Sequence, residues 1–348
     1  MTPLPFRLPA EWEPQSAVLL AWPHPETDWQ SRLAAVEQTY LRLIAAITQF
    51  QTVALCCRDD AMCKALAKRF DIAGIPLQRV LFWSVPYHDT WLRDSGPLVL
   101  THPDGHHRVL DVRFTGWGGK FAAEEDDLLV GRLHAKGCFG HADLQISAFA
   151  LEGGAVETDG VGTLLTTWQC FQQRHPTLAR NAIESQLLEL LGLQRIIWLT
   201  AGALEGDDTD AHIDTLARFS SPTSIVYQSC HDISDSHHAV LHAMEAELRA
   251  LRTSDGAPYH LFPLPWPKPI YASGRRLAAS YANFLIINGA VLMPAYDDPA
   301  DQAASAVLSR AFPQRQIIPI PAKPLIWQNG SVHCITMQLP TGLFSHAP

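Results

Sequence analysis

Five amphipathic stretches recur along the chain, each followed within a few residues by a short apolar run, and that rhythm leaves few folds open. Leu33 to Phe50, Leu128 to Ala135, Leu178 to Leu191, His238 to Leu251 and Ala300 to Phe312 carry apolar residues at three and four spacing, which predicts helices. The runs TVALCC, LQISA, RIIWLT, YHLFPL and QIIPIP that follow them predict strands. A shorter helix, Asp59 to Phe70, and the strand VLFWSV extend the first unit. Four of the helices are preceded by paired apolar stretches around turn residues, at HPDGHH, TDGVG, SSPTS and NGA, which predicts hairpins. The repeated unit is therefore strand, strand, helix, strand. Before the first helix, AVLLAW supplies one strand and the C-terminal VHCITMQL its partner, so the chain is expected to close on itself.

Polar residues stand at the entrances to these hairpins: Asp94, Glu152, His212 with Asp214, Asn283 and Cys334. They lie roughly 50 to 70 residues apart, the spacing of a repeated structural unit. If the units surround a common axis, a thiol, an imidazole, an amide and several carboxylates meet at its centre.

The wider composition excludes several classes. A chain of 348 residues, 47% hydrophobic and 18% charged, can fill a sizeable soluble core, and residues 1–348 are read as a single catalytic domain. A net charge of −9 offers no footprint for nucleic acid and favours a small cationic ligand. The N-terminal MTPLPFRLPAEWEPQ lacks the basic start and apolar run of a secretory signal, and no membrane-length apolar segment occurs, so a soluble cytoplasmic protein is expected. Seven cysteines without any C-x-x-C pair argue against a disulfide framework and against a cysteine zinc site. Assembly of several copies stays open.

Buried cysteines usually only pack, and Cys56, Cys57, Cys63, Cys138, Cys170 and Cys230 are read that way. Cys334 differs by its company. His212 and Asp214 share a face if DDTDAHIDTL runs as a strand. The acids also raise a divalent-metal reading, but no twelve-residue calcium loop and no H-E-x-x-H is present. WLRDSGP could be a turn held by a local ion pair, and the glycines after Glu152 mark close backbone approach or a tight turn. A thiol, a histidine and two or more carboxylates suit a planar guanidinium, whose N–H forks match carboxylates. A hydrolase for neutral acyl groups would want N–H donors where this chain has acids.

From LPAEWEPQSAVLLAWPHPETDW through TWLRDSGP, FTGWGGK, LEGGAVETDGVGTLLTT, GDDTDAHIDTLARF and ASYANFLIINGAVLMPAYDDPADQAA to NGSVHCITMQLP, the chain resembles the agmatine deiminase family, related to bacterial peptidylarginine deiminases. The resemblance covers almost the whole chain in order. It implies an α/β five-bladed propeller, the pentein fold, and guanidine hydrolysis without metal or organic cofactor. It further implies Cys334 as nucleophile, His212 as proton donor and acceptor, Asp94 and Asp214 as guanidinium clamps, and Glu152 as partner of the histidine. Asp208 is expected at the distal amine of agmatine, with Trp91 and Asn283 lining the pocket. The chain departs from the family pattern at Gln328 to Val332, commonly Gly-Gly-Gly-Asn-Ile, at Thr215, usually Asn, and at Arg113 and Thr115. Arg113 is the named candidate for a cation that would select an arginine carboxylate. The alternatives are a deiminase of free or peptidyl arginine or another guanidino compound, and a guanidine-binding homologue without turnover.

Overall fold

The computed structural model describes residues 6–344, so the ends of the sequence, including the first five residues of the N-terminal reading, lie outside the described residues. Five sheets repeat one pattern: a first strand antiparallel to a second, then a third parallel to the second. The predicted strands fall where expected, Thr52–Cys57 and Gln316–Pro321 residue for residue. Each second strand is joined to its third by a helix: Leu33–Ile47, Leu129–Ala135, Arg180–Leu191, His238–Ala250 and Ala300–Ala311. The added helix Asp60–Ile72 leads to Val80–Ser84, a fourth strand in the first sheet. Its start is fixed by Asp59, whose carboxylate accepts the Met62 N–H at 2.7 Å.

Closure occurs as the sequence predicts. Gln15–Ala21 pairs antiparallel with Thr336–Pro340, the last strand, and parallel with Thr52–Cys57. The molecule is thus a five-bladed α/β propeller, the pentein fold. Burial grades across the blades, because second strands such as Thr163–Thr167 are buried throughout while third strands such as His260–Leu264 are partly exposed; Thr52–Cys57, the third strand of the first blade, is buried throughout beside the added fourth strand. Apolar side chains of helix and sheet pack between these layers, with Leu43, Ile44, Leu55 and Leu292 fully excluded from water.

Several short elements fall outside the sequence expectations, two of them beside the site. A helix of seven residues, Trp168–Arg174, follows the strand Thr163–Thr167, and a small hairpin pairs Tyr271–Ala272 with Arg275–Arg276. Both are too short to leave a periodic apolar signal. Among the described residues no helix is long and apolar enough to cross a membrane.

Candidate active site

Each blade ends its polar entrance in a turn rather than in a strand. Asp94 sits in the one-turn helix Leu92–Ser95, Glu152 precedes the 3₁₀ turn Gly153–Ala155, and His212 precedes the 3₁₀ turn Ile213–Thr215. Asn283 and Cys334 stand just before Leu285–Ile287 and Thr336–Pro340. The strand geometry expected for His212 and Asp214 is therefore corrected. Asp210 and Ala211 take left-handed φ values of 67° and 66°, which break any extended run, and the Thr215 hydroxyl closes the turn by donating to the His212 carbonyl at 2.9 Å.

Turns bring the groups closer together than strand faces would. Gly154 is required by that approach, since a Cβ there would lie 2.5 Å from His212 Nδ1 and 2.7 Å from Asp94 Oδ1. Instead, the Gly154 N–H donates to Asp94 Oδ1 at 3.0 Å, and the Trp117 indole donates to Asp94 Oδ2 at 2.9 Å. His212 Nε2 lies 2.9 Å from Glu152 Oε2, and its Nδ1 lies 3.5 Å from Asp94 Oδ1. Cys334 Sγ is 3.8 Å from Asp214 Oδ2 and 3.2 Å from the Asn283 amide nitrogen. The sites expected from sequence do converge.

A pocket of about 910 Å³ opens onto this cluster and is lined by Cys334, Asp94, Trp91 and Asp208 together with Trp117 and Trp29. Asn283, expected to line it, is absent from its wall, as are the buried His212, Asp214 and Glu152. The Asn283 amide is consumed underneath, where Oδ1 accepts the His333 N–H at 3.0 Å and Nδ2 donates to Asp214 Oδ2 at 3.1 Å, so that it shapes the Cys334 turn. Arg113 is also corrected: it is 63% exposed, pairs with Asp127 at 3.1 Å, and is absent from the pocket wall. Asp208 does reach the pocket, and its Oδ2 accepts from Asn329 Nδ2 at 2.6 Å.

Electrostatics divide the cluster by role. Burial alone would keep His212 neutral, but Asp94, Cys170 and Glu152 around it raise its pKa well above the ordinary value. Burial, opposed chiefly by His212, leaves Asp94 at about 6. Asp214 and Glu152 stay below the usual carboxylate range despite burial, the first through His333 and the second through His212 and Arg174. Burial and the nearby Asp214 and Asp94 push the Cys334 thiol well up. Two buried polar atoms of the cluster, Asp214 Oδ1 and His212 Nδ1, have no hydrogen-bond partner among the described residues.

The chain matches the family model of the Porphyromonas-type peptidyl-arginine deiminases over residues 7–340. The chain belongs to this family. It is 33% identical to an agmatine deiminase of Stutzerimonas stutzeri, over 96% of this chain and 95% of that one. A solved Campylobacter jejuni agmatine deiminase with substrate bound superposes with a TM-score of 0.89 at 34% identity, covering 97% of each chain. A Porphyromonas gingivalis structure, provisionally named an arginine deiminase, gives 0.88 at 47% identity over 97% of this chain and 98% of that one. As a member, the chain is a hydrolase of C–N bonds.

Within the family pattern, the departures have local replacements. Thr115 caps the turn carrying Trp117, accepting the Gly118 N–H at 2.9 Å. Gly330 survives from the usual glycine run, and a Cβ there would fall 2.0 Å from the Trp91 ring. Several site residues stand outside the sequence expectations. His333 bridges Asp214 and Glu11 at 2.7 Å each, and Glu11 also accepts from Arg218 at 2.8 Å. His333 was visible as the neighbour of Cys334, whereas Glu11 lies far from it in sequence. Arg174 grips Glu152 at 2.7 and 2.9 Å through one nitrogen. Cys170 is not merely a packing residue, because its sulfur lies 3.8 Å from Glu152 Oε2. Atoms of Glu152, Cys170 and His212 gather within 4.8 Å of one another, as a metal site would require, but a cation there would compete with Arg174 for Glu152.

Proposed function

We propose that this chain hydrolyses agmatine to N-carbamoylputrescine and ammonia, with residues 1–348 acting as one catalytic domain in the cytoplasm. The observation that carries the reading is the free acceptor Asp214 Oδ1 and the free nitrogen His212 Nδ1, both buried in the cluster that holds Cys334 and Asp94. An acceptor buried without a partner is costly, and a guanidinium N–H satisfies it. Asp94 and Asp214 hold the guanidinium nitrogens and place the central carbon against Cys334 Sγ.

The incoming cation offsets the burial and carboxylates that hold the thiol protonated, so ionisation is assisted by substrate, and the Sγ proton leaves to solvent through the pocket that Cys334 lines. The thiolate then forms the S–C bond. His212, kept protonated by Asp94 and Glu152, gives its proton to the departing nitrogen as the C–N bond breaks. A covalent thiouronium remains. Neutral His212 next takes a proton from water, whose oxygen attacks the carbon; the S–C bond breaks, the released thiolate takes the remaining hydroxyl proton, and the neutral ureido product leaves. Asp208, on the pocket wall, faces the distal ammonium.

A second reading, an arginine-type substrate, has its own observation. The Arg32 guanidinium stacks 3.9 Å from the Trp327 ring and Arg275 donates to the Trp327 carbonyl at 3.3 Å, both on the pocket wall, where a substrate carboxylate could meet them. Asp208 would repel that carboxylate. Ammonia and ureido product are therefore expected from agmatine at a kcat/KM at least about tenfold above that for arginine, a gap of about 1.4 kcal/mol. Asp208→Asn should narrow the gap. Equal or better kcat/KM for arginine would reject agmatine and leave deimination standing.

A further inference from the structure

Glu152 touches His212 on one side and a buried guanidinium on the other. Arg174 stands at the end of the helix Trp168–Arg174, and its side chain is only 2% exposed. Its Nε donates to both Glu152 oxygens, one terminal nitrogen donates to Asp210 Oδ2 at 2.6 Å, and the other to the Thr209 carbonyl at 2.9 Å. These last partners belong to the turn that carries Asp208 and ends at His212. That turn holds a backbone most side chains avoid, with Asp210 and Ala211 left-handed, and needs fixed partners to persist. Asp207 supplies some, accepting from Thr209 N at 3.0 Å and Ala211 N at 2.7 Å, and Lys120 reaches the Asp208 carbonyl at 2.6 Å and Asp210 Oδ2 at 2.7 Å. Arg174 also abuts the turn of Trp117, the donor to Asp94, since a Cβ on Gly118 would lie 3.3 Å from its guanidinium.

One guanidinium thus contacts the backbone segments that place Glu152, His212 with Asp208, and Trp117. We propose that Arg174 is a positioning residue that fixes the substrate-facing Asp208 turn and the Glu152–His212 pair together, so that substrate affinity and the proton shuttle share one anchor. It touches neither the Cys334 thiol nor the pocket wall, and it acts through the groups it holds.

The charged neighbours give the anchor a signature. Glu152 faces His212, Arg174, Cys170, Asp94 and, more distantly, His175; Arg174 faces Glu152, Asp210 and the Cys170 thiol, with His175 and Lys120 beyond. Burial would push the Glu152 carboxyl up, while His212 and Arg174 hold it below the ordinary range. Loss of the Arg174 charge therefore lets Glu152 take a proton at a higher pH, and His212 then loses its ionised partner. Loss of the fork alone releases the turn without changing that titration.

The inference rests on the deimination reading, and the experiment separates the two. Steady-state ammonia release from agmatine is followed between about pH 5 and 9 for the full chain and three variants. Arg174→Gln is expected to lower kcat and to move the acidic limb of kcat up by about one pH unit or more, read at saturating agmatine, where the bound cation keeps Asp94 ionised. Arg174→Lys should keep the limb in place and raise KM severalfold, and Asp210→Asn, which cuts only the turn side, should do the same. An unmoved limb in Arg174→Gln, or an unchanged KM in both other variants, overturns the anchor while the reaction stands. If Arg174→Gln does not fold, the KM of the remaining pair decides. Absence of ammonia from the wild-type chain with agmatine and with arginine rejects the deimination reading, and the anchor with it.

Discussion

Asp94 carries the sharpest consequence at the level of a single residue. Its pKa of about 6 reflects burial first, then the opposing pull of His212 and the repulsion of Asp214 and Glu152. A carboxyl raised above its unfolded value binds its proton more tightly in the folded chain, so this group disfavours folding as the pH rises through the window from about 4 to 6. A bound guanidinium offsets that cost, because it favours the ionised form. Affinity for the cation is thus present above about 6 and is lost below it. Cys334→Ala should release no ammonia yet still bind agmatine, since the clamps do not depend on the thiol. Calorimetric titration of that variant should show affinity falling toward about tenfold per pH unit below the Asp94 value. Asp94→Asn in the same background should flatten the profile, and in the active enzyme should cost about 2 to 3 kcal/mol or more, roughly a hundredfold in rate. A pH-independent affinity in Cys334→Ala would remove Asp94 from the clamp.

At the level of elements, strands and long helices were legible and the site's turns were not. TVALCC and QIIPIP could be bounded because an apolar run between turn residues has only one use in a repeated unit. The polar residues at hairpin entrances could be named for the same reason. Their orientation could not, because His212 and Asp214 owe it to two successive left-handed residues, Asp210 and Ala211, and an alanine gives no warning of that backbone. Arg174 and Cys170 stayed hidden in a seven-residue helix with no periodicity to read. The glycines after Glu152 were legible as a close approach without saying to what. The structure answers with His212 and Asp94 at Gly154 and, at Gly153, with the Arg93 carbonyl oxygen, which would lie 2.2 Å from any Cβ placed there. Gly154→Ala should accordingly part the His212–Asp94 pair and lower kcat by about a hundredfold or more, the scale of a misplaced catalytic group. Far-ultraviolet circular dichroism should remain that of the wild-type chain. Retention of wild-type kcat would mean the turn yields more easily than its packing indicates.

The whole molecule is closed by pairing of strands near its two ends and is pinned at the centre by Glu11, a residue outside every blade. Glu11 accepts from the Ile286 backbone N–H at 2.6 Å, from Arg218 at 2.8 Å, and lies 2.7 Å from His333 and 3.7 Å from Arg93. These partners come from four different sheets or the turns that enter them, so one carboxylate joins blades that share few backbone bonds. Burial opposes its ionisation, but Arg218, His333 and Arg93 outweigh burial and hold it far below the glutamate range. A depressed carboxylate contributes stability above its unfolded pKa, and that contribution is lost only as the pH falls through the folded value. Glu11→Gln replaces one acceptor oxygen with an N–H donor facing groups that already donate. Arg218 keeps Glu157, but the charge balance of the network is broken, at a cost of about 3 to 5 kcal/mol for a buried pair deprived of one partner. Its melting temperature should fall by about 5 °C or more, measured by calorimetry at equal protein concentration. The difference from the wild-type chain should persist from neutral pH down to about 5 and narrow only in stronger acid, where the wild-type carboxylate is itself protonated. Activity should fall with it, because His333 then orients Asp214 from one side only. Equal melting of the two chains at neutral pH would show that the blades hold together without their central carboxylate.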